Sequence, residues 1–122
     1  MGIYNYRELD IWKKGMTICE KVYFLTASFP SHEQYGVISQ LRRAAVSVPA
    51  NIAEGFGRKS NGDFKRFLNI ATGSLLEVET HIELSRRLHY CADVEAANLF
   101  EETNHLGKMM TRFTQKIPNT KY

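Results

Sequence analysis

Steps of three and four separate the apolar residues along almost all of this chain, in four stretches broken by proline, glycine and small polar residues. Such spacing puts them on one face of a helix, and no segment shows the period-two alternation of a half-buried strand. The first stripe reads Leu9, Trp12, Met16, Cys19 and Tyr23, and the second Ile38, Leu41, Ala45, Val48 and Ile52. The third runs Phe64, Phe67, Ala71, Leu75, Val78, Ile82 and Ser85, and the fourth Ala96, Leu99, Thr103, Leu106, Met110, Phe113 and Ile117.

Capping residues and prolines set the boundaries. Asn5 with Glu8 and Ser31 with Gln34 have capping-box spacing, Ser60 and Asp63 have cap spacing, and Asp93 stands as the fourth N-cap. Phe29-Pro30 ends the first helix, because the residue before proline is pushed out of the helical region. Gly55 and Gly57 stop the second, and Pro118 the fourth. The predicted helices cover 8–29, 32–56, 61–89 and 94–117. Helices of about 20 residues, roughly 30 Å long, joined by short loops favour antiparallel neighbours. The expected architecture is an all-α, up-down-up-down four-helix bundle forming one domain, residues 1–122.

Pro49 falls inside the second helix, where it removes the bond to the Ala45 carbonyl and predicts a kink. Asn51 is expected to hydrogen-bond that freed carbonyl or a neighbouring helix; the alternative gives Asn51 and Glu54 a pocket or subunit-contact role. Gly15 is predicted to weaken the first helix by ~1 kcal/mol relative to alanine. Cys19, on the first stripe, is expected in the core.

Charge is unevenly spread. Lys+Arg 16 against Asp+Glu 13 gives a net charge of +3 over 122 residues. Residues 42–66 hold Arg42, Arg43, Arg58, Lys59, Lys65 and Arg66 against Glu54 and Asp63, a local +4. Residues 77–102 carry a local −5, and Lys108, Arg112, Lys116 and Lys121 return the last stretch to +4. Segregation of this kind can make one basic face that attracts phosphates and releases their counterions. Arg58 and Lys59 are the best placed, in the loop before a helix N-terminus whose free N–H groups also favour an anion. Lys65, Arg66 and Arg43 would support them. Arg42 flanks the seam residue Leu41 and could instead orient a subunit contact. The alternative is that these charges solvate the surface or pair between subunits.

Enzymatic constellations are incomplete. Glu102-x-x-His105 is half of a di-metal motif for a helical bundle, but His81 has Val78 where its glutamate would stand. Gly57-x4-Gly62 is followed by Asp63-Phe64 rather than the Lys-Ser/Thr of a phosphate-binding loop. Ser74 follows Gly73 without the second glycine of a nucleophile elbow. The chain is expected to be no enzyme, with no cofactor and no metal. His81 and His89 are expected at the surface or an interface. Cys19 and Cys91 lack C-x-x-C spacing, which points to a reducing compartment. No apolar run reaches the roughly 20 residues of a membrane span, and the opening residues lack a signal-peptide core. A cytoplasmic protein without membrane contact is expected.

Several stretches go beyond a generic bundle. Residues 39–60 contain Ala50-Asn51-Ile52-Ala53-Glu54-Gly55, and residues 70–79 contain Gly73-Ser74-Leu75. With the opening Tyr6–Trp12 and the Phe29-Pro30 and Phe67-Leu68 pairs, the chain resembles the bacterial 23S rRNA-intervening-sequence proteins over residues 6–117. Some members of that family are encoded within intervening sequences of ribosomal RNA genes. The resemblance implies a four-helix bundle that assembles as a homopentamer. It also implies similarity to the accessory variability factor of diversity-generating retroelements, which binds nucleic acid and a reverse transcriptase through a basic surface. Lys13-Lys14-Gly15 departs from the family pattern. The function expected is therefore a homo-oligomeric bundle that binds structured RNA or DNA, with a protein-interaction scaffold as the alternative.

Overall fold

The computed structural model describes residues 5–119. A 3-10 turn at Tyr6–Glu8 leads into α1 (Asp10–Thr26), and a second at Ser31–Glu33 precedes α2 (Val37–Phe56). Helices α3 (Asn61–Arg87) and α4 (Asp93–Lys116) complete the chain, with no strand among the described residues. Each helix packs on its chain neighbours, α1 meets α4 to close the ring, and α2 with α3 forms the most extensive interface. Contacts across the interfaces run in opposite chain order, with Thr26 opposite Arg42, Cys19 opposite Ala45, Ser47 opposite Ser74, and Glu79 opposite Thr103.

The core lies where α2 and α4 are expected to turn their apolar stripes, and along most of the α3 stripe. Leu41, Ala45, Val48, Ile52, Ala71, Val78, Ile82, Ala96 and Leu106 are fully or almost fully buried. Two stripes need correction. On α1 the buried face is Ile11, Gly15, Ile18, Cys19 and Val22, while Met16 and Tyr23 are exposed and Trp12 is half-buried. On α3 the seam takes Leu68, with Phe64 and Phe67 half-buried at its edge. Both errors come from the freedom to step by three or by four, which rotates a chosen stripe around the helix.

Boundaries shift for local reasons. Asn5 caps only the first 3-10 turn, accepting from the Arg7 N–H at 2.9 Å, and α1 starts after Leu9 without a side-chain cap. Its end comes at Thr26, not residue 29. Thr26 donates its hydroxyl to the Val22 carbonyl at 2.8 Å and accepts from Arg42 Nε at 2.8 Å. Arg42 also lies 4.5 Å over the Tyr23 ring, so it ties the end of α1 to α2. Helix α2 starts at Val37 rather than near residue 32, and the Ser31–Gln34 spacing forms a 3-10 turn instead of a cap. Glu33 holds that entry: it accepts from the Val37 N–H at 3.4 Å and from the Tyr90 hydroxyl at 2.7 Å, which keeps its carboxyl below the usual range. Ser60 caps α3 as expected, accepting from the Asp63 N–H at 3.1 Å. That helix ends at Arg87, and His89 takes φ 62, the left-handed conformation that reverses the chain after a helix. At α4 the N-cap is Ala92 rather than Asp93, and Glu95 accepts from the Ala92 N–H at 2.8 Å.

Pro49 lies buried within the continuous helix α2, and its ring fills the space that Gly15 leaves on α1. The carbonyl it deprives of a partner is Ala45, and the group that answers it is the thiol of Cys19, 3.0 Å away across the helix interface. Asn51, expected in that role, instead donates to the Ser47 carbonyl at 2.7 Å and the Ser47 hydroxyl at 2.9 Å. Ser47 in turn meets Ser74 of α3 at 2.8 Å. Burial, with Glu20 adding to it, pushes the Cys19 thiol up to about 11, so it stays a neutral donor. With the folded value raised above the ordinary 9.0, this contribution is complete below pH 9 and fades as pH climbs towards 11. Cys19→Ala is expected to cost about 1–3 kcal/mol by stranding a buried carbonyl, and Cys19→Ser less, because a hydroxyl can still donate. Urea unfolding of the two variants checks the order; equal losses would contradict the assignment.

Candidate nucleic-acid interface

The basic residues singled out in the sequence do not form one patch. Arg58, Lys59 and Arg66 gather around the α2–α3 turn, where Gly57 closes α2 and Ser60 opens α3. Gly55 makes this end possible: it is buried at the helix crossing, where a Cβ would come within 2.8 Å of the Phe67 Cβ. The half-buried Phe67 ring then carries two guanidinium groups, Arg58 at 4.7 Å and Arg66 at 4.6 Å from its centroid. Stacking on an aromatic face orients a planar guanidinium while leaving its N–H edges free to meet phosphate oxygens.

Two acids temper the cluster. Glu54 approaches Arg58 at 3.3 Å and Asp63 approaches Arg66 at 3.7 Å, both between neighbouring turns at the surface. Exposed pairs of this kind contribute about 0–1 kcal/mol, so an incoming phosphate can displace the carboxylates. Glu54 thus faces Arg58 across one turn. Glu54→Gln is expected to tighten RNA binding several-fold at low salt, measured by filter binding; weaker binding would mean that Glu54 is needed to hold Arg58 in place. Lys59 is exposed and has no ion pair among the described residues.

The other two expected residues lie elsewhere. Arg43 is exposed on α2 and sits 13 residues before its end, roughly 20 Å along the helix from the turn. Lys65 is next to Arg66 in sequence, but its ammonium meets the Asn119 side chain in the segment just after α4. Two adjacent helical residues differ by about 100° in direction, which is enough to send them to different faces of α3. Sequence reasoning missed Phe67 as a support for the arginines, having placed it in the core seam. Its position one residue after Arg66 was the available signal.

The half-motif Glu102-x-x-His105 is otherwise engaged. Glu102 receives Lys14 and Lys21 from α1, while His105 is exposed. Among the described residues no group of three or more His, Cys, Asp or Glu side chains is arranged to hold a metal ion. His81 is half-buried 3.7 Å from Glu77, and His89 is exposed in the α3–α4 turn. No helix among the described residues is long and apolar enough to cross a membrane.

The family model described as 23S rRNA-intervening sequence protein matches residues 7–112. The chain belongs to this family. A solved structure with the same fold is a protein with unknown function from the S23 ribosomal protein family of Bacteroides thetaiotaomicron VPI-5482. It is 21% identical, with a TM-score of 0.77 over 87% of this chain and 99% of that one. No curated protein matches the chain. In this 23S rRNA-intervening sequence protein the Ala50–Gly55 run lies at the foot of the basic turn, where Gly55 packs against Phe67 and Glu54 faces Arg58.

Proposed function

We propose that this 23S rRNA-intervening sequence protein is a non-enzymatic, homopentameric cytoplasmic bundle that binds structured RNA or DNA through its α2–α3 turn. The observation that carries this reading is the pair of guanidinium groups lying over the Phe67 ring beside Lys59 and the capped start of α3. Arg58, Lys59 and Arg66 contact phosphates, and Arg43 adds a more distant one along α2. Binding of this kind is driven by charge and shape: phosphate contacts set affinity and register without reading bases. The exposed Arg43 and Lys59 support it, and the free thiols Cys19 and Cys91 suit a reducing compartment.

Assembly into a ring multiplies the turn, so that one structured nucleic acid meets several copies and gains affinity from effective concentration. Apolar side chains left exposed on α3, among them Ile70 at 42% and Leu84 at 46%, suit burial against another copy. Light scattering at micromolar concentration is expected to give five times the 14.0 kDa chain mass. A mass near 14.0 kDa would overturn the assembly. A protein that keeps the fivefold mass but binds neither RNA nor DNA at low salt would turn the reading to the scaffold alternative.

A further inference from the structure

We infer that the groove between α3 and α4 is a second, separate track for the phosphodiester backbone of a nucleic acid. Two adjoining cavities of about 470 and 610 Å³ lie along it, sharing Thr72 of α3 and Thr111 of α4. Gly107 keeps the floor low, since a Cβ there would meet nothing nearer than the Leu75 side chain at 3.8 Å. Four cations stand along the walls: Lys65 from α3, and Lys108, Arg112 and Lys116 from α4. Against them the lining holds one carboxylate, Glu79, which accepts from the Thr103 hydroxyl at 2.6 Å. Lys108 and Arg112 make no ion pair among the described residues.

Charge complementarity selects the occupant. A groove with a net charge of +3 in its lining, and with amide donors from Asn69, Asn104 and Gln115 between the cations, matches a line of phosphates and sugar hydroxyls. No aromatic ring lines either cavity, so the groove lacks the stacking platform on which single-strand readers hold bases. The backbone is therefore what it can grip, without regard to sequence. The residues are independent of Arg58, Lys59 and Arg66, so the track extends the nucleic-acid reading to a second face of the bundle. On the outer side of Arg112 and Lys116, Glu8 and Asp10 of the chain's N-terminal end line a neighbouring cavity. Lys65 and Lys108 are clear of those acids and make the sharper probe.

The test measures binding of a hairpin RNA to the full chain as a function of salt. Neutralising all four cations (Lys65→Gln, Lys108→Gln, Arg112→Gln, Lys116→Gln) is expected to lower the log–log salt slope by about 3. The pair Lys65→Gln and Lys108→Gln should lower it by about 1.5, and serves if the fourfold variant does not fold. The same decrements are expected when Arg58 and Lys59 are already glutamate. An unchanged slope in folded groove variants, with loss of binding in the Arg58/Lys59 variant, overturns this inference and leaves the proposed function standing. Failure of the unsubstituted protein to bind removes both. Displacement of the RNA by polyglutamate at equal charge concentration would assign the groove to an acidic polypeptide and also overturn it.

Discussion

Replacing Arg58 and Lys59 together with glutamate is expected to weaken binding to structured RNA by about 100-fold or more at roughly 0.1 M salt. Two phosphate contacts disappear and two like charges take their place, beside Glu54 and Asp63, which lose their partner or gain a neighbour of the same sign. The slope of log affinity against log salt should fall by about 2. Phe67 gives the same experiment a finer control. Removing the ring while keeping the cations, as in Phe67→Leu, should weaken binding less than the charge reversal, because the arginines remain but lose the surface 4.7 and 4.6 Å away that orients them. All of these substitutions lie at the surface or at the edge of the core, so thermal unfolding should change little for the charge variants. Retention of full affinity by the double variant would show that the α2–α3 turn is not the site.

The second large effect is on stability. Gly55→Ala places a Cβ 2.8 Å from the Phe67 Cβ, 3.0 Å from the Phe64 ring and 3.2 Å from the Phe64 carbonyl oxygen. None of these is the free end of a flexible chain, so α2 and α3 must move apart at their closest approach. Overpacking of this kind costs about 1–3 kcal/mol, a fall of roughly 5–10 °C in Tm for a domain of this size. Gly73→Ala, on the open face of α3 where nothing lies within 4 Å, should do the reverse and gain about 0.5–1 kcal/mol from helix propensity. A scan of the two variants side by side decides the matter: if both rise, Gly55 is not a packing requirement.

The helices were legible because their apolar spacing is long and repeated, and the stripes on α2 and α4 coincide with the buried faces. Ser60 was legible as a cap because its partner stands three residues away in sequence. What sequence spacing hides is the contact between helices. Gly15 reads as a weak point in α1, whereas in the fold it makes room for the Pro49 ring on α2. Cys19 reads as a small apolar residue, yet its thiol supplies the hydrogen bond that Pro49 withholds from Ala45, 26 residues away. The site suffers from the same limit. A charge count over residues 42–66 gathers six cations, but the helix turns Arg42 onto the end of α1, leaves Arg43 far along α2 and divides Lys65 from Arg66. The signal that would have separated them is angular: Lys65, Asn69, Thr72, Leu76 and Glu79 follow the step of three and four that faces α4. Lys121 was counted with the cations of the last stretch and lies outside the described residues.

The most direct test of the central claim is to purify the full chain at low salt, digest the protein away and sequence the nucleic acid that accompanies it. The account predicts a structured RNA or DNA enriched over the background, and strongly depleted when Arg58 and Lys59 are glutamate. Protein recovered free of nucleic acid under those conditions would contradict it.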